Sequence, residues 1–325
     1  MTKEEQKGVT HTYVQINDSC NQKCVFCNRP PREDFSSSLS LDEAKKKIDE
    51  IMQDEGCTRI IFTGGEPTIH PDLKEIVRYA AEKGAVTEIQ TNGTVLEEKE
   101  FAELKEAGLS IVNFAWHSHK KDKSCLSRGV DFGFEKIERS IMAAAKAGLC
   151  VHIIHVITKI NYGDLPEFIE SIKEKGLNCF DIWLNLSLVV PDEFAWTNKE
   201  MVVPSHGEVR PYLIKACEKC REYGIPFDIS EVVPLCIVPG FEHRVVSTVF
   251  MTGNIVITDD YNSGKRVLDF SVQDERTTKA PQCAGCSLSP ICVGFYPRIA
   301  EMYGTDEYVA SEKDPAEIIK KIQGK

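Results

Sequence analysis

Thr10-His11-Thr12-Tyr13-Val14-Gln15-Ile16 leads, three residues later, to Cys20-Asn21-Gln22-Lys23-Cys24-Val25-Phe26-Cys27. The first run is rich in β-branched and aromatic residues and predicts a strand. The second is a CxxxCxxC loop carrying three thiols. Three thiolates suit three corners of a cubane [4Fe–4S] cluster and leave one iron open to bind a small molecule. A closed structural site wants a fourth cysteine nearby, and none lies between Cys27 and Cys57. Zinc sites usually show paired CxxC units with four ligands, and the next such pair, Cys217 and Cys220, is far down the chain. Disulfides fit worse. Thirteen cysteines is an odd count, and the start Met1-Thr2-Lys3-Glu4-Glu5-Gln6-Lys7 has no apolar secretory segment.

The 325 residues suffice for one large α/β domain plus a small appendage. A hydrophobic fraction of 42% and a charged fraction of 27% are ordinary for a globular protein. The formal net charge of −11 argues against a broad nucleic-acid footprint, which needs a basic face. Lys120-Lys121-Asp122-Lys123 reads as a solvated loop. No apolar run is long enough to cross a bilayer. So many free thiols predict a cytoplasmic, reducing compartment and no membrane partner.

Beyond the cysteine loop the sequence alternates. Ser40 with Glu43 three residues on predicts a capped helix start, the helix running to about Met52. Thr58–Phe62 is a second strand, ending at Thr63-Gly64-Gly65-Glu66-Pro67. A helix from about Asp72 to Lys83 precedes strand Val86–Gln90 and the turn Thr91-Asn92-Gly93. A helix over Glu97–Ala107 leads to strand Ser110–Trp116, and Gly133–Ala147 to strand Val151–Thr158. Pro166–Lys175 and Cys179–Leu186 make a sixth step. Gly84, Gly108, Gly148 and Gly176 stand where C-caps belong. Such alternation predicts a parallel sheet with helices outside, a partial (β/α)6 TIM-like barrel. Ligand chemistry belongs at the C-terminal ends of its strands. There the cysteine triplet, the GGEP run, the TNG turn and His117-Ser118-His119 all converge.

With CxxxCxxC after the first strand and Gly64-Gly65-Glu66-Pro67 after the second, the chain resembles the radical S-adenosylmethionine (SAM) superfamily over roughly residues 10 to 190. The resemblance implies that Cys20, Cys24 and Cys27 hold a [4Fe–4S] cluster whose open iron is chelated by SAM. It implies that Gly64, Gly65, Glu66 and Pro67 present the strand end bonding the methionine ammonium. Phe26 would pack by the adenine, and Arg128 and Asn161 would supply polar SAM contacts. Asn92 reads equally as a ligand contact or as plain turn chemistry. His117 reads as a SAM or substrate contact or as a backbone partner. The family chemistry is one-electron cleavage of SAM to methionine and a 5′-deoxyadenosyl radical, fed by an external donor of flavodoxin or ferredoxin type. The radical then removes a hydrogen atom from the substrate.

Past Pro191 the alternation breaks, which divides the chain into a core over 1–190, a helical connector over 191–231 and a C-terminal unit over 232–325 that ends in a helix. A helix is expected from about Gly207 to Tyr223, then strands Val245–Phe250 and Asn254–Ile257 about a Thr252-Gly253 turn. Cys283, Cys286 and Cys292 in CxxCx₅C spacing, with Cys236, supply four thiols. They resemble the twitch or SPASM auxiliary-cluster domains of the superfamily, with one auxiliary [4Fe–4S] cluster. Cys₄ zinc is the competing reading. Cys125, after the fourth strand, reads as a hydrogen-atom donor or a plain loop thiol. Cys217 and Cys220 share a helix face as ordinary thiols, and Cys57, Cys150 and Cys179 read as small core residues. His152 and His155 lie three apart in one strand, so at most one faces the barrel interior.

The expected activity is that of a radical SAM enzyme, leaning to modification of peptides or proteins. The alternatives are radical rearrangement of a small metabolite such as a nucleotide, sugar or cofactor precursor, a methyltransferase of the same superfamily, and a non-catalytic iron–sulfur module. A first strand starting near Thr10 leaves no peptide-recognition domain ahead of it. The molybdenum-cofactor GTP cyclase is a less apt match, since Gln323-Gly324-Lys325 replaces its C-terminal double glycine.

Overall fold

A computed structural model describes residues 10–28, 38–53, 57–253, 257–261, 264–268 and 276–324. The strands are β1 (Thr10–Asn17), β2 (Cys57–Gly64), β3 (Val86–Thr91), β4 (Leu109–Ala115), β5 (Cys150–Ile157), β6 (Ile182–Leu188), β7 (Phe227–Ser230), β8 (Ile257–Tyr261) and β9 (Gly264–Leu268). They form one sheet in the order β7-β6-β5-β4-β3-β2-β1-β8-β9. Every pairing is parallel except β8 with β9. Helices α1 (Leu41–Met52), α2 (Leu73–Glu82), α3 (Glu98–Glu106), α4 (Lys121–Arg128), α5 (Phe134–Lys146) and α6 (Leu165–Glu174) fill the crossovers from β1 to β6. The partial barrel is therefore present, and its sheet is not closed.

Side-chain alternation explains the curl. Val14, Ile16, Ile60, Phe62, Ile89, Val112, Phe114, Val151, Ile153, Leu184 and Leu186 are all buried and belong to one core. They occupy every second position and face the helices. The positions between them are polar far more often: Tyr13 and Gln15, Arg59 and Thr63, Glu88 and Gln90, Asn113, His152, Asn185 and Ser187, Asp228 and Ser230. These face the concave side. A slip of one residue would exchange the two rows, so burial holds the register. At the floor of this lumen Arg59 pairs with buried Glu88 at 3.3 Å, and Asn113 donates to the other Glu88 oxygen.

The structure extends the expected plan. Within the stretch read as a connector, α7 (Glu193–Thr197), α8 (Lys199–Val202) and α9 (His206–Glu222) lead to β7, which adds a seventh parallel strand. The expected strand Val245–Phe250 is instead the helix α10 (Val246–Gly253). Its β-branched residues favour a strand locally, but Thr248 is buried and donates to the Ile291 carbonyl at 3.1 Å, so tertiary packing decides. Thr252-Gly253 ends that helix rather than turning a hairpin. Of the expected strand Asn254–Ile257, residues 254–256 lie outside the described residues and Ile257 opens β8. The sixth strand begins at Ile182, after a short 3₁₀ turn over Leu177–Cys179. The α4 helix and α11 (Pro297–Tyr303) were not anticipated, while α12 (Pro315–Ile322) stands at the C-terminal end where a helix was expected. Among the described residues no helix is long and apolar enough to cross a membrane.

Four buried or half-buried histidines give the fold a defined acid response. Burial lowers His11, His152 and His206 to about 4 and His155 to about 3, Arg59 adding to the effect on the first two. Folded values below the ordinary one mean that the unfolded chain binds more protons between pH 6.5 and 4, so stability falls as pH falls through that window. Denaturant midpoints measured at constant ionic strength should fall as the pH is lowered from 6.5 towards 5, the uptake of roughly three to four protons by these histidines on unfolding being partly offset by the buried carboxyls of Glu66, Glu88 and Asp228, which burial raises. A flat profile between pH 6.5 and 4 would contradict this account.

Candidate functional site

Cys20, Cys24 and Cys27 line one cavity of about 330 Å³, at the C-terminal ends of the strands. Gly64, Gly65, Glu66, Asn92, Phe26 and His117 share its wall. The cysteine loop is held mostly by backbone. Lys23 N and Val25 N each donate at 3.0 Å to the carbonyls of Arg128 and Ser127, at the end of α4. Phe194 N reaches the Cys27 carbonyl at 3.2 Å, and Asn198 Nδ2 the Val25 carbonyl at 2.8 Å. Gly129, at φ +62, ends α4 against this loop. A Cβ there would stand 2.1 Å from the Lys23 carbonyl oxygen, so only glycine fits.

The GGEP run meets the start of the same loop. Gly65 N donates to the Asn17 carbonyl at 2.9 Å, and Glu66 N to the Ser19 carbonyl at 2.8 Å. Added Cβ atoms on Gly64 and Gly65 would lie 2.0 and 2.1 Å from those same carbonyls. The glycines therefore let two strand ends close on each other just ahead of Cys20. Glu66 is 1% exposed, and both its carboxylate oxygens are used. One accepts from Thr68 N, Thr68 Oγ1 and Thr91 Oγ1, the other from Asn92 N at 2.7 Å. Burial pushes its carboxyl up, against those bonds. Pro67 is buried and opens a short 3₁₀ turn.

The other expected polar contacts are likewise engaged within the chain. Asn92 Nδ2 donates to Asn21 Oδ1 at 2.7 Å, while its Oδ1 accepts from Thr94 N and Oγ1. Arg128, 1% exposed, donates to the Asn92 carbonyl at 3.1 Å and the Ala115 carbonyl at 2.9 Å, and its Nε has no partner. Asn161 donates at 2.8 Å to the carbonyls of both His117 and Val156 and accepts from Thr158 N. His117 Nδ1 accepts from Val156 N at 3.1 Å, and its ring meets Phe26 edge-on at 4.9 Å. Burial and the neighbouring Arg128 hold His117 neutral, well below the usual range. Cys125 sits half-buried on α4 and is not among the cavity-lining residues. His155 faces Trp116 and Phe168 on the helix side, and His152 the concave side.

The donor set fits an iron–sulfur cluster. Three thiols from one loop share a cavity large enough for a cluster and a bound ligand, with a buried cation, Arg128, beside Cys24. Burial pushes Cys24 up to about 12 and raises Cys20, so these thiols stay protonated until a positive centre takes the proton's place. Cys236, Cys283, Cys286 and Cys292 line a second, smaller cavity of about 30 Å³, with Phe295 and Tyr308 stacked at 4.1 Å beside it. Among the described residues no three Cys, His, Asp or Glu side chains close around a single ion's position. Cys217 and Cys220 are both buried in the core, apart from either cavity.

Sequence reading missed the rest of the main cavity's wall: Tyr13, Gln90, Asn113, Ser187 and Glu231. The polar residue at every second strand position was the available signal. It missed the cover as well. Phe26 packs in a small core with Ile160, Val189, Ala195, Val202, Val203 and Ile299, which joins the cysteine loop to α7, α8 and α11.

The family model of the radical SAM superfamily matches residues 14–172. Fe-coproporphyrin III synthase of Methanosarcina barkeri is 29% identical over 221 residues, 67% of this chain and 54% of that protein. A probable GTP 3′,8-cyclase of Thermoplasma volcanium is 33% identical over 166 residues, 50% of each. The chain spans about half the length of the curated relatives it matches. In fold it is similar to Streptococcus suis SuiB bound to S-adenosylmethionine, with TM-score 0.63 at 16% identity, covering 94% of this chain and 76% of that one. It is also similar to anSMEcpe with bound AdoMet, with TM-score 0.64 at 15% identity, covering 97% and 96%.

Glu66→Gln places an amide N–H against donors that now meet a carboxylate, leaving buried groups unmatched. It should cost about 1–3 kcal/mol in denaturant unfolding. Gly129→Ala should destabilise by about 1–3 kcal/mol and lower iron bound per chain after reconstitution. Unchanged iron uptake in Gly129→Ala would show that the loop tolerates displacement.

Proposed function

Because the radical SAM superfamily model matches residues 14–172, we propose that this protein is a radical SAM enzyme carrying a [4Fe–4S] cluster on Cys20, Cys24 and Cys27. The observation that carries the reading is the meeting of the cysteine loop, the GGEP strand end and the TNG turn on one cavity wall. With SAM bound, the cluster supplies one-electron cleavage of the sulfonium and a 5′-deoxyadenosyl radical that takes a hydrogen atom from the substrate. The chain's own residues do the positioning. Glu66 ties the ends of β2 and β3 together, Arg128 and Asn161 do the same for β3, β4 and β5, and Phe26 with α7, α8 and α11 screens the loop from water. With the strand-end bonds of Glu66, Asn92 and Asn161 already made, the cavity shape is set before any ligand enters, which lowers the ordering cost of binding. An external one-electron donor completes the partners.

The substrate we propose is a peptide or protein, a reading supported by the likeness in fold to SuiB, which has been solved bound to its precursor peptide SuiA. A second reading, a cofactor-type small molecule, is supported by the curated relatives, among them Fe-coproporphyrin III synthase and GTP 3′,8-cyclases. We assign a second [4Fe–4S] cluster to Cys236, Cys283, Cys286 and Cys292, on the strength of four soft donors facing one cavity. That cavity's small volume keeps a zinc ion as the competing occupant.

Anaerobic reconstitution with iron and sulfide, then reductant and SAM, tests these assignments together. Alanine at Cys20, Cys24 and Cys27 should abolish 5′-deoxyadenosine formation while retaining about half the iron. Alanine at Cys283 and Cys286 should remove about the other half; full iron retention there, or zinc recovered in its place, would overturn the second cluster. Peptide and small-molecule fractions of a host extract, assayed separately for stimulated 5′-deoxyadenosine release, distinguish the two substrate classes.

A further inference from the structure

The concave face of the barrel carries an imbalance of charge. Arg59 and Glu88 neutralise each other at the floor, and Glu66 is enclosed by strand-end donors. Asp228, on β7, has neither arrangement. Its Oδ2 accepts from Trp183 Nε1 at 2.8 Å and its Oδ1 from Asn185 Nδ2, both neutral donors on β6. Among the described residues no Lys, Arg or His lies within ion-pair distance of it. Arg244, the cation nearest in effect, is stacked over the ring of outward-facing Phe227 at 5.3 Å. Asp228 is half-buried, and a carboxylate withdrawn from water normally has a cationic or metal partner; burial pushes it up to about 6.

Two further features mark the place. Trp183 is 37% exposed although it sits on the concave face, leaving one side of an indole open beside a carboxylate. The group also adjoins the main cavity. Asn185 pairs in register with Ile154 and Ser187 with Val156, and Ile154, Val156 and Ser187 all line that cavity. Ser230, opposite Ser187, donates to Asn185 Oδ1 at 2.6 Å and so orients the amide toward Asp228.

From this geometry we infer that Asp228, Trp183 and Asn185 form a subsite for an organic cation, an aliphatic ammonium or guanidinium group of the molecule processed in the barrel. The carboxylate supplies the charge-assisted hydrogen bond and the indole face the cation–π contact. Trp183 and Asn185 each hold one carboxylate oxygen by a single neutral donor, fixing its orientation. That the bound molecule is the substrate rests on the radical SAM reading. The binding itself does not.

The test uses the reconstituted protein without reductant. Agmatine and cadaverine serve as free cations, a lysine-centred tripeptide with blocked ends as the peptide-borne one, and succinate as the anionic control. Tryptophan fluorescence and calorimetry follow the titrations. At least one cationic probe should bind saturably and succinate should not; whether the free or the peptide-borne probe prevails identifies the source of the group. Asp228→Asn should weaken binding about tenfold or more, and Trp183→Phe should remove the fluorescence response and weaken binding several-fold in calorimetry. If Asp228→Asn fails to give a native melting curve, the Trp183→Phe calorimetry carries the comparison. No saturable binding of any cation, or unchanged affinity in the folded variants, would overturn the subsite. 5′-Deoxyadenosine formation, measured on a second portion of the same preparation after addition of reductant and SAM, reports separately. SAM cleavage without probe binding sinks the subsite alone, and probe binding without SAM cleavage sinks the radical SAM reading alone.

Discussion

Glu66 stands where β2 ends, yet its carboxylate organises its neighbours more than itself. Thr68, Thr91 and the Asn92 amide all donate to it, and Asn92 in turn grips Asn21 inside the cysteine loop. Three loops from three separate strands are thereby fixed to one buried group. A carboxylate so enclosed is costly to bury unless every lone pair is matched; the matching donors come from the turns after β2 and β3 together, and the cysteine loop is joined to them through Asn92. The requirement is reciprocal: each loop is ordered only when the others are present. This explains why the cysteine loop can rely mostly on backbone hydrogen bonds from α4, α7 and Asn198.

The sheet and its helices were legible in the sequence because their signals are local. Apolar residues recur at every second position in the strands, glycines follow the helices, and Ser40 with Glu43 forms the capping box that their spacing announces. The cysteine triplet and GGEP were legible as motifs, but the work of individual polar residues was not. Asn92, Arg128 and Asn161 looked like ligand contacts because polar residues at strand ends face the site in this architecture. In the folded chain they bond Asn21, Thr94 and the carbonyls of neighbouring strands. Such pairings depend on loops distant in sequence, and no window of residues reports them. Val245–Phe250 was misread because β-branched composition is local while the packing of Thr248 against Ile291 is not.

The two faces of the sheet obey different rules. The outward row is aliphatic and aromatic and carries the stability. The inward row is polar and is satisfied by neighbours in short networks, Arg59–Glu88–Asn113 on one side and Trp183–Asp228–Asn185–Ser230 on the other. A polar interior of this kind is stable only if each network is complete. The first is complete as a charge pair; the second lacks a cation, and that difference separates a floor from a wall able to receive a guest.

The small core around Phe26 also sets an order of events. Ile299 lies against a loop made at the very start of the chain, and Asn198 reaches back 173 residues to the Val25 carbonyl. Contacts of such separation form late, after the intervening chain has been ordered. During synthesis the three cysteines therefore emerge early and stay uncovered until α11 leaves the ribosome. For the cluster proposed above, that interval is a window for loading, in which an open loop takes iron and sulfide before the later helices cover it.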